Sequence, residues 1–233
     1  MDWEATYQEF AAAGLSKDYE RQELLTRRAR TALQNRRLKD LEWLVAALSN
    51  AERKWFVARA LARGRQMPRG LFAPMIRAAV YEVNPSLNRQ FIEPCIWAFG
   101  PRPVNEALLD YLVGGTDFEK AGAVNALYWA SSPLMGMREA PDLCEQYEGL
   151  GDIRLRKRAL LLREFMGNSS VEVRRSIIAQ LPFERELFPA DCWPLLPQAI
   201  RIAREHPDDY IRHRVEIQLG SGGLLDALPH RRI

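Results

Sequence analysis

Residues 169–181 read SSVEVRRSIIAQL, and residues 208–220 read DDYIRHRVEIQLG. In both stretches polar residues precede an arginine, and apolar residues stand three and seven places after that arginine. Two positions four apart lie on the same face of a helix, so each stretch predicts a helix with one apolar stripe. The chain therefore contains the same type of amphipathic helix at least twice.

Three earlier segments show the same spacing when they are aligned on a cation. The five rows are KWFVARAL from Lys54, RQFIEPCI from Arg89, KAGAVNAL from Lys120, RRSIIAQL from Arg174 and RHRVEIQL from Arg212. The third positions after the cation are Val57, Ile92, Ala123, Ile177 and Val215, and the seventh positions are Leu61, Ile96, Leu127, Leu181 and Leu219. A further helical segment precedes each row, so the pattern predicts stacked helical hairpins that share one core.

Polar residues mark several of the expected helix starts. Thr116 with Glu119 and Ser169 with Glu172 match the S/T-x-x-E capping box, in which two side chains bond each other's free backbone N–H groups. Asp208, which follows a proline, is a candidate cap for the last helix. No strand or hairpin signal competes with these helices.

The last two rows carry a family resemblance. Residues 169–181, with the preceding DIRLRKRALLLREFM (152–166), resemble the HEAT repeat, in which a capped second helix carries valine, arginine and then spaced aliphatics. The resemblance implies an all-α, right-handed α-solenoid of about five hairpins, with Pro94 and Gly122 as departures in the middle rows. It implies one domain over residues 1–233: an N-terminal cap (1–38), repeats (40–130), an inserted loop (131–152), C-terminal repeats (153–220) and a tail (221–233). The helical, polar part of the cap is expected over residues 17–38, and one short helix is expected around residues 142–147 of the loop.

Composition excludes several classes of protein. The longest apolar runs fall well short of the roughly 18 residues that span a bilayer. The first ten residues, MDWEATYQEF, do not resemble a secretory signal. Three scattered cysteines predict neither a disulfide framework nor a zinc site. We expect a cytoplasmic protein with no membrane contact.

The charge distribution is uneven along the chain. Residues 1–70 carry 14 cations and 9 acids (+5), residues 71–150 carry 5 and 10 (−5), and residues 151–233 carry 14 and 11 (+3). A continuous phosphate track favours one sign of charge along its length. The acidic middle therefore weakens, without excluding, a nucleic-acid partner.

Catalytic signals are sparse. The three histidines have no ligand spacing, and the glycines of GSGGLL (220–225) follow a helix, where they are typical of a helix stop. The sequence accordingly predicts no catalytic residue, no metal site and no cofactor. It leaves the oligomeric state open.

Candidate binding residues come from the face that the second helices of a solenoid present to a partner. They are Arg59, Glu93, Trp97, Asn125, Trp129, Arg175, Ile178 and Glu216. The aromatic residues near the seventh positions, including Tyr128, are candidate anchors or ordinary core residues. The first-turn cations are interpreted mainly as structural groups, because in HEAT-like stacks such cations pair with acids or carbonyls of the neighbouring repeat and a lone cation at a helix start is usually solvated.

A second candidate site is a basic patch. Its members are Arg154, Arg156, Lys157 and Arg158. Such a patch can hold phosphates or an acidic partner, but charge on a helix is also typical of its solvated face.

Three functions follow from these observations. The first is a non-catalytic scaffold or adaptor that binds a protein on the concave face of a HEAT-like solenoid. The second is a DNA-binding glycosylase that excises alkylated bases, because one HEAT-like glycosylase family looks similar in length and tryptophan content. The third, by analogy of fold alone, is a bilin-lyase-type HEAT protein.

Overall fold

The computed structural model describes residues 1–33, 38–62, 67–131 and 140–225, without the side chains of residues 38–39 and 221–225. These ranges contain thirteen α-helices, a few short 3₁₀ turns and no strand, so the chain is all-helical there. The helices are α1 (Trp3–Leu15), α2 (Tyr19–Leu33), α3 (Leu38–Leu48), α4 (Arg53–Leu61), α5 (Phe72–Val80), α6 (Arg89–Phe99), α7 (Pro101–Gly114), α8 (Asp117–Ala130), α9 (Pro141–Glu148), α10 (Gly151–Gly167), α11 (Val171–Ile178), α12 (Leu196–Arg204) and α13 (Asp209–Leu225).

Most helices pack in consecutive pairs, and the pairs contact one another in chain order. The pairs are α1–α2, α3–α4, α5–α6, α7–α8, α10–α11 and α12–α13. The second helices, α2, α4, α6, α8, α11 and α13, contact each other in that sequence, and the first helices from α3 onward, α3, α5, α7, α10 and α12, do the same. Each pair therefore contacts the pair before it and the pair after it.

The predicted apolar stripe lies in the shared core of the helix pairs. All five third positions are completely buried. Of the seventh positions, Leu61, Ile96, Leu127 and Leu181 are buried, and Leu219 is partly buried against the same core. The burial confirms the alignment of the five rows.

The first-turn cations bond within the stack. Lys54 Nζ lies 2.5 Å from Glu82 Oε2, and Lys120 Nζ lies 2.6 Å from Glu164 Oε1, and all four side chains are mostly buried. Arg174 Nε donates to the carbonyl of Phe165 at 3.1 Å. The remaining bonds join Arg89 to Glu93 and Arg212 to the carbonyl of His206. Lys54 and Lys120 thus pair with an acid of the next helix pair, as the structural interpretation expects, whereas the other three cations bond within their own pair.

The N-terminal cap contains more structure than the sequence pattern indicated. The described part of the cap, residues 1–33, holds two helices, because α1 precedes the expected polar helix α2. Trp3, Tyr7 and Phe10 of α1 are buried, and their rings contact Phe56 with centroids 5.1–6.5 Å apart. The helix α1 thus contributes an aromatic cluster to the core at the N-terminal end of the chain.

The short helix expected around residues 142–147 is present as α9 (Pro141–Glu148), whereas residues 132–139 of the same segment lie outside the described ranges. The helix α13 continues to Leu225, so the predicted stop at the glycines 220–223 is wrong. The rest of the predicted tail, residues 226–233, also lies outside the described ranges.

The two irregular residues of the middle rows lie inside helices. The helix α6 includes Pro94, and α8 includes Gly122. A Cβ atom on Gly122 would lie only 1.9 Å from the carbonyl oxygen of Val80, at the end of α5. Glycine therefore permits the close packing of α8 on α5.

We predict that Gly122→Ala lowers the free energy of unfolding by about 1–3 kcal/mol, because the added methyl group forces two backbones apart. Gly167→Ala is the matched control, since a Cβ at Gly167, the last residue of α10, meets no atom within 4 Å. Urea unfolding of both variants should separate them clearly. Equal stability of the two variants would contradict the close α5–α8 contact.

Candidate functional site

A groove crosses the surface of three second helices in the C-terminal half of the stack. Its walls come from residues 83–86, which precede α6, and from side chains of α8, α11 and α13. The cavity has a volume of about 640 Å³ and is open to solvent. This volume falls in the range of small-molecule and peptide-side-chain sites.

Exposed aromatic and aliphatic side chains line the groove. Val83, Tyr128 and Tyr210 line it and are 81%, 61% and 42% exposed, respectively. Exposed large hydrophobic groups are ordinary when they are scattered, but a cluster around a concavity indicates an interaction surface. The groove therefore differs from a merely solvated face of the stack.

Trp129 is the fixed member of this aromatic group. Its indole Nε1 donates a hydrogen bond to the carbonyl of Pro85 at 2.8 Å. The ring of Tyr128 meets the indole edge to face, with centroids 5.0 Å apart, and the guanidinium of Arg89 lies 5.6 Å from the indole centroid. These contacts hold the indole in place before any ligand arrives.

One of the two arginines in the groove is neutralised by acids. Arg175 Nε and Nη2 donate to Asp208 Oδ2 at 3.1 and 2.7 Å, and Glu172 lies 3.8 Å from Arg175 Nη1. The hydrogen bond from Arg175 holds the pKa of Asp208 below its usual value. Asp208 Oδ1 also accepts from the backbone N–H of Ile211, so this carboxylate caps α13 while it pairs with Arg175.

The other arginine, Arg214, has no such partner. Its Nη2 donates weakly to the carbonyl of Ala179 at 3.4 Å, and its Nε is buried without a hydrogen-bond partner. Among the residues that the structure describes, no carboxylate lies within ion-pair distance of this guanidinium. The buried Oε1 of Gln218, one turn further along α13, also lacks a partner.

A smaller hollow of about 230 Å³ lies on the N-terminal second helices. Arg59 lines it together with Phe10, Gln22 and Trp55. The Arg59 guanidinium lies 5.6 Å from the centroid of the Phe10 ring and donates to Gln22 Oε1 at 3.3 Å. The polar groups of this hollow thus satisfy each other.

The structure separates the eight predicted partner-binding residues into different surroundings. Asn125, Trp129 and Arg175 meet in the groove, and Arg59 lies in the smaller hollow. Glu93 pairs with Arg89 at 3.1 Å, Trp97 packs partly buried against the core, and Glu216 pairs with Arg204 of α12 at 2.6 Å. Ile178 is completely buried, so it belongs to the core and is removed from the binding set.

The list of predicted binding residues omits Tyr210 and Arg214 of the groove, whereas Tyr128 was already a candidate anchor. Tyr210 and Arg214 lie four apart at the start of α13, a spacing that is visible in the sequence. That they line the same cavity as residues of α8 is not visible there, because the two helices are brought to one cavity only by the tertiary structure.

The predicted basic patch is not a single outward-facing surface. Arg154 donates to the carbonyl of Tyr147, Arg158 Nη1 donates to the carbonyl of Leu187 at 3.0 Å, and Lys157 Nζ donates to Ser131 Oγ at 2.6 Å. Arg156 alone among the four is exposed. Burial, together with Arg158 and Arg154, lowers the pKa of Lys157 to about 8.

Within the described ranges, no group of three His, Cys, Asp or Glu side chains is arranged to hold a metal ion. None of the described helices combines the length and the hydropathy that a bilayer crossing requires. No protein-family model, curated protein or solved structure matches the chain.

The lowered pKa of Lys157 predicts a pH-dependent contribution to stability. Below about pH 8 the ammonium is charged in both folded and unfolded states, and its desolvation destabilises the fold. Between about pH 8 and the unfolded pKa near 10.5, the unfolded state binds more protons, so stability rises with pH. The free energy of unfolding of the wild type should therefore rise relative to that of Lys157→Met, by up to about 3 kcal/mol.

Urea unfolding at pH 7 and pH 10 measures this difference. Lys17→Met, which replaces an exposed lysine, is the control and should follow the wild type at both pH values. A constant difference between wild type and Lys157→Met would show that Lys157 is not desolvated.

Proposed function

We propose that the chain is a HEAT-like α-solenoid that acts as a protein-interaction module, and that the groove holds a segment of a partner protein. The paired helices, which contact each other in chain order, support the solenoid arrangement. The resemblance of residues 169–181 to a HEAT second helix supports the family. In such an arrangement the second helices line the concave face, on which solenoids present their binding surfaces.

The observation that carries the proposal is the aromatic rim around a preformed groove. Tyr128, Trp129 and Tyr210 offer large contact areas with few rotatable bonds, and such residues dominate the energetics of protein interfaces. Trp129 is already fixed by its bond to Pro85, so little conformational entropy is lost there on binding. Polar side chains of the groove, such as Asn125 and Ser176, can orient the bound segment through hydrogen bonds.

The two enzyme alternatives receive less support. A glycosylase needs a groove that follows a phosphate backbone, whereas three of the four patch cations bond internally and Arg175 is paired with Asp208. A bilin lyase still rests on analogy of fold alone. Neither alternative has a catalytic constellation among the described residues.

Site-specific photo-cross-linking tests the proposal in the cell that naturally contains the chain. A benzophenone amino acid placed at Tyr128 or Tyr210 should form adducts with the same partner, because both positions border one groove. The control is Tyr19, an aromatic residue of similar exposure (69%) outside the groove. Mass spectrometry of the adducts identifies the cross-linked segment.

A shared adduct at the two groove positions, absent at Tyr19, supports the proposed function. Adducts of equal yield and identity at all three positions would show non-specific surface contact. If the groove positions form no adduct while Tyr19 does, the groove is not the docking surface.

A further inference from the structure

The groove contains a cation whose hydrogen-bonding capacity is largely unused. Arg214 lines the cavity, its Nε is buried without a partner, and its one bond is the long contact with Ala179. A guanidinium cannot lose its proton at physiological pH, so it cannot escape this situation by titration. An unpaired buried donor on a charged group is costly to maintain.

The other arginine of the groove, Arg175, has a carboxylate within 2.7 Å. Cations elsewhere, such as Arg158 and Arg174, donate to backbone carbonyls instead. Among the described residues, Arg214 is the one cation with a buried side-chain nitrogen that has no hydrogen-bond partner. A missing counter-ion inside a binding groove points to a counter-ion on the ligand.

Neutral polar groups that could complete such a site lie in the same cavity. The amide of Asn125 and the hydroxyl of Ser176 line the groove, and neither makes a hydrogen bond within the part of the chain that the structure describes. Tyr128 and Tyr210 supply apolar surface beside them. The set offers donors for one anionic group and flat surfaces for its apolar neighbours.

We propose that Arg214 is the specificity-determining residue of the groove and that it binds the carboxylate of an Asp or Glu side chain in the partner segment. Apolar or aromatic residues flank that acid and pack on Tyr128 and Tyr210. Guanidinium and carboxylate match in geometry, and their charge-assisted hydrogen bonds are the strong ones. This inference rests on the proposed protein-binding function and names the chemistry of its ligand.

The surrounding charges favour a single carboxylate over a nucleic-acid strand. Glu172 lines the groove, and Asp208 lies beside it on Arg175. Successive phosphates would meet these acids, whereas one carboxylate needs only Arg214. A peptide is therefore the occupant that the charges fit.

Selection from a library of random 12-residue peptides, displayed internally on phage, tests the inference on the immobilised full chain. The enriched peptides are synthesised with amidated ends and a fluorescent label, and their Kd is measured by anisotropy. We expect one acidic position next to apolar residues. Replacing that Glu or Asp by its amide, or Arg214 by Gln, should each weaken binding by about 10-fold or more.

Further variants separate recognition from folding. The two changes together should weaken binding no more than either change alone, because both remove the same ion pair. Arg214→Lys should restore part of the affinity, and Arg201→Gln, which removes an exposed arginine of α12 outside the groove, should leave it unchanged. Thermal melting of each variant confirms that it is folded.

The outcomes distinguish the inference from the proposed function. The inference is overturned if the affinity of the selected peptides requires Tyr128, if the peptides share no acidic position, and if Arg214→Gln leaves their Kd unchanged. The groove then remains a protein-binding site. Peptides that bind independently of both residues, or no enrichment at all, overturn both. A labelled single-stranded 12-mer oligonucleotide is measured in parallel. If it binds more tightly than the peptides, and only when Arg214 is present, the inference is overturned and the ligand of Arg214 is nucleic acid.

Discussion

Every second helix from α4 onward buries an aliphatic or alanine side chain three places after its first-turn cation, and this seam is what the rest of the structure depends on. A single helical hairpin leaves such a stripe exposed, so each pair requires a neighbour. The seam also fixes the rotation of each helix about its axis. With Val57, Ile92, Ala123, Ile177 and Val215 facing the core, the residues one or two places away must face the edges or the surface.

Two of the cations in the first turns of these helices form buried ion pairs beside the apolar seam. Both Lys54–Glu82 and Lys120–Glu164 are mostly buried pairs. The first links α4 to the segment after α5, and the second links α8 to α10. Removal of one partner from such a pair leaves an uncompensated charge, so these pairs specify one packing arrangement even where their net contribution to stability is small. Their charges are used internally, which explains why a row of cations in the sequence does not become an anion-binding track.

The sequence predicts the helices and their buried faces well because both depend on local spacing. Helix faces follow from spacing, and the capping box of Thr116 and Glu119 forms as expected. The next cap is displaced by one residue: Ser170, not Ser169, accepts from the N–H of Val173, because its backbone is extended at the entry to α11. Ile178 was assigned to the surface by the same spacing, yet the neighbouring helices enclose it completely. The aromatic role of α1 was missed because its partner, Phe56, is distant in sequence.

The residues of the groove show why a binding site is harder to predict from sequence than the faces of the helices. Arg175 and Arg214 both lie near the start of a second helix. The local sequence provides Arg175 with Glu172 three residues earlier, but that acid lies 3.8 Å away, further than the 2.7 Å of Asp208. The difference arises from Asp208, which caps α13 and, from that position, reaches Arg175. One carboxylate thus satisfies the helix terminus and the first arginine together, and no acid remains for the second. A cation is therefore available to a ligand only when no carboxylate of a neighbouring helix lies close to it. The positions of those carboxylates are set by the tertiary structure.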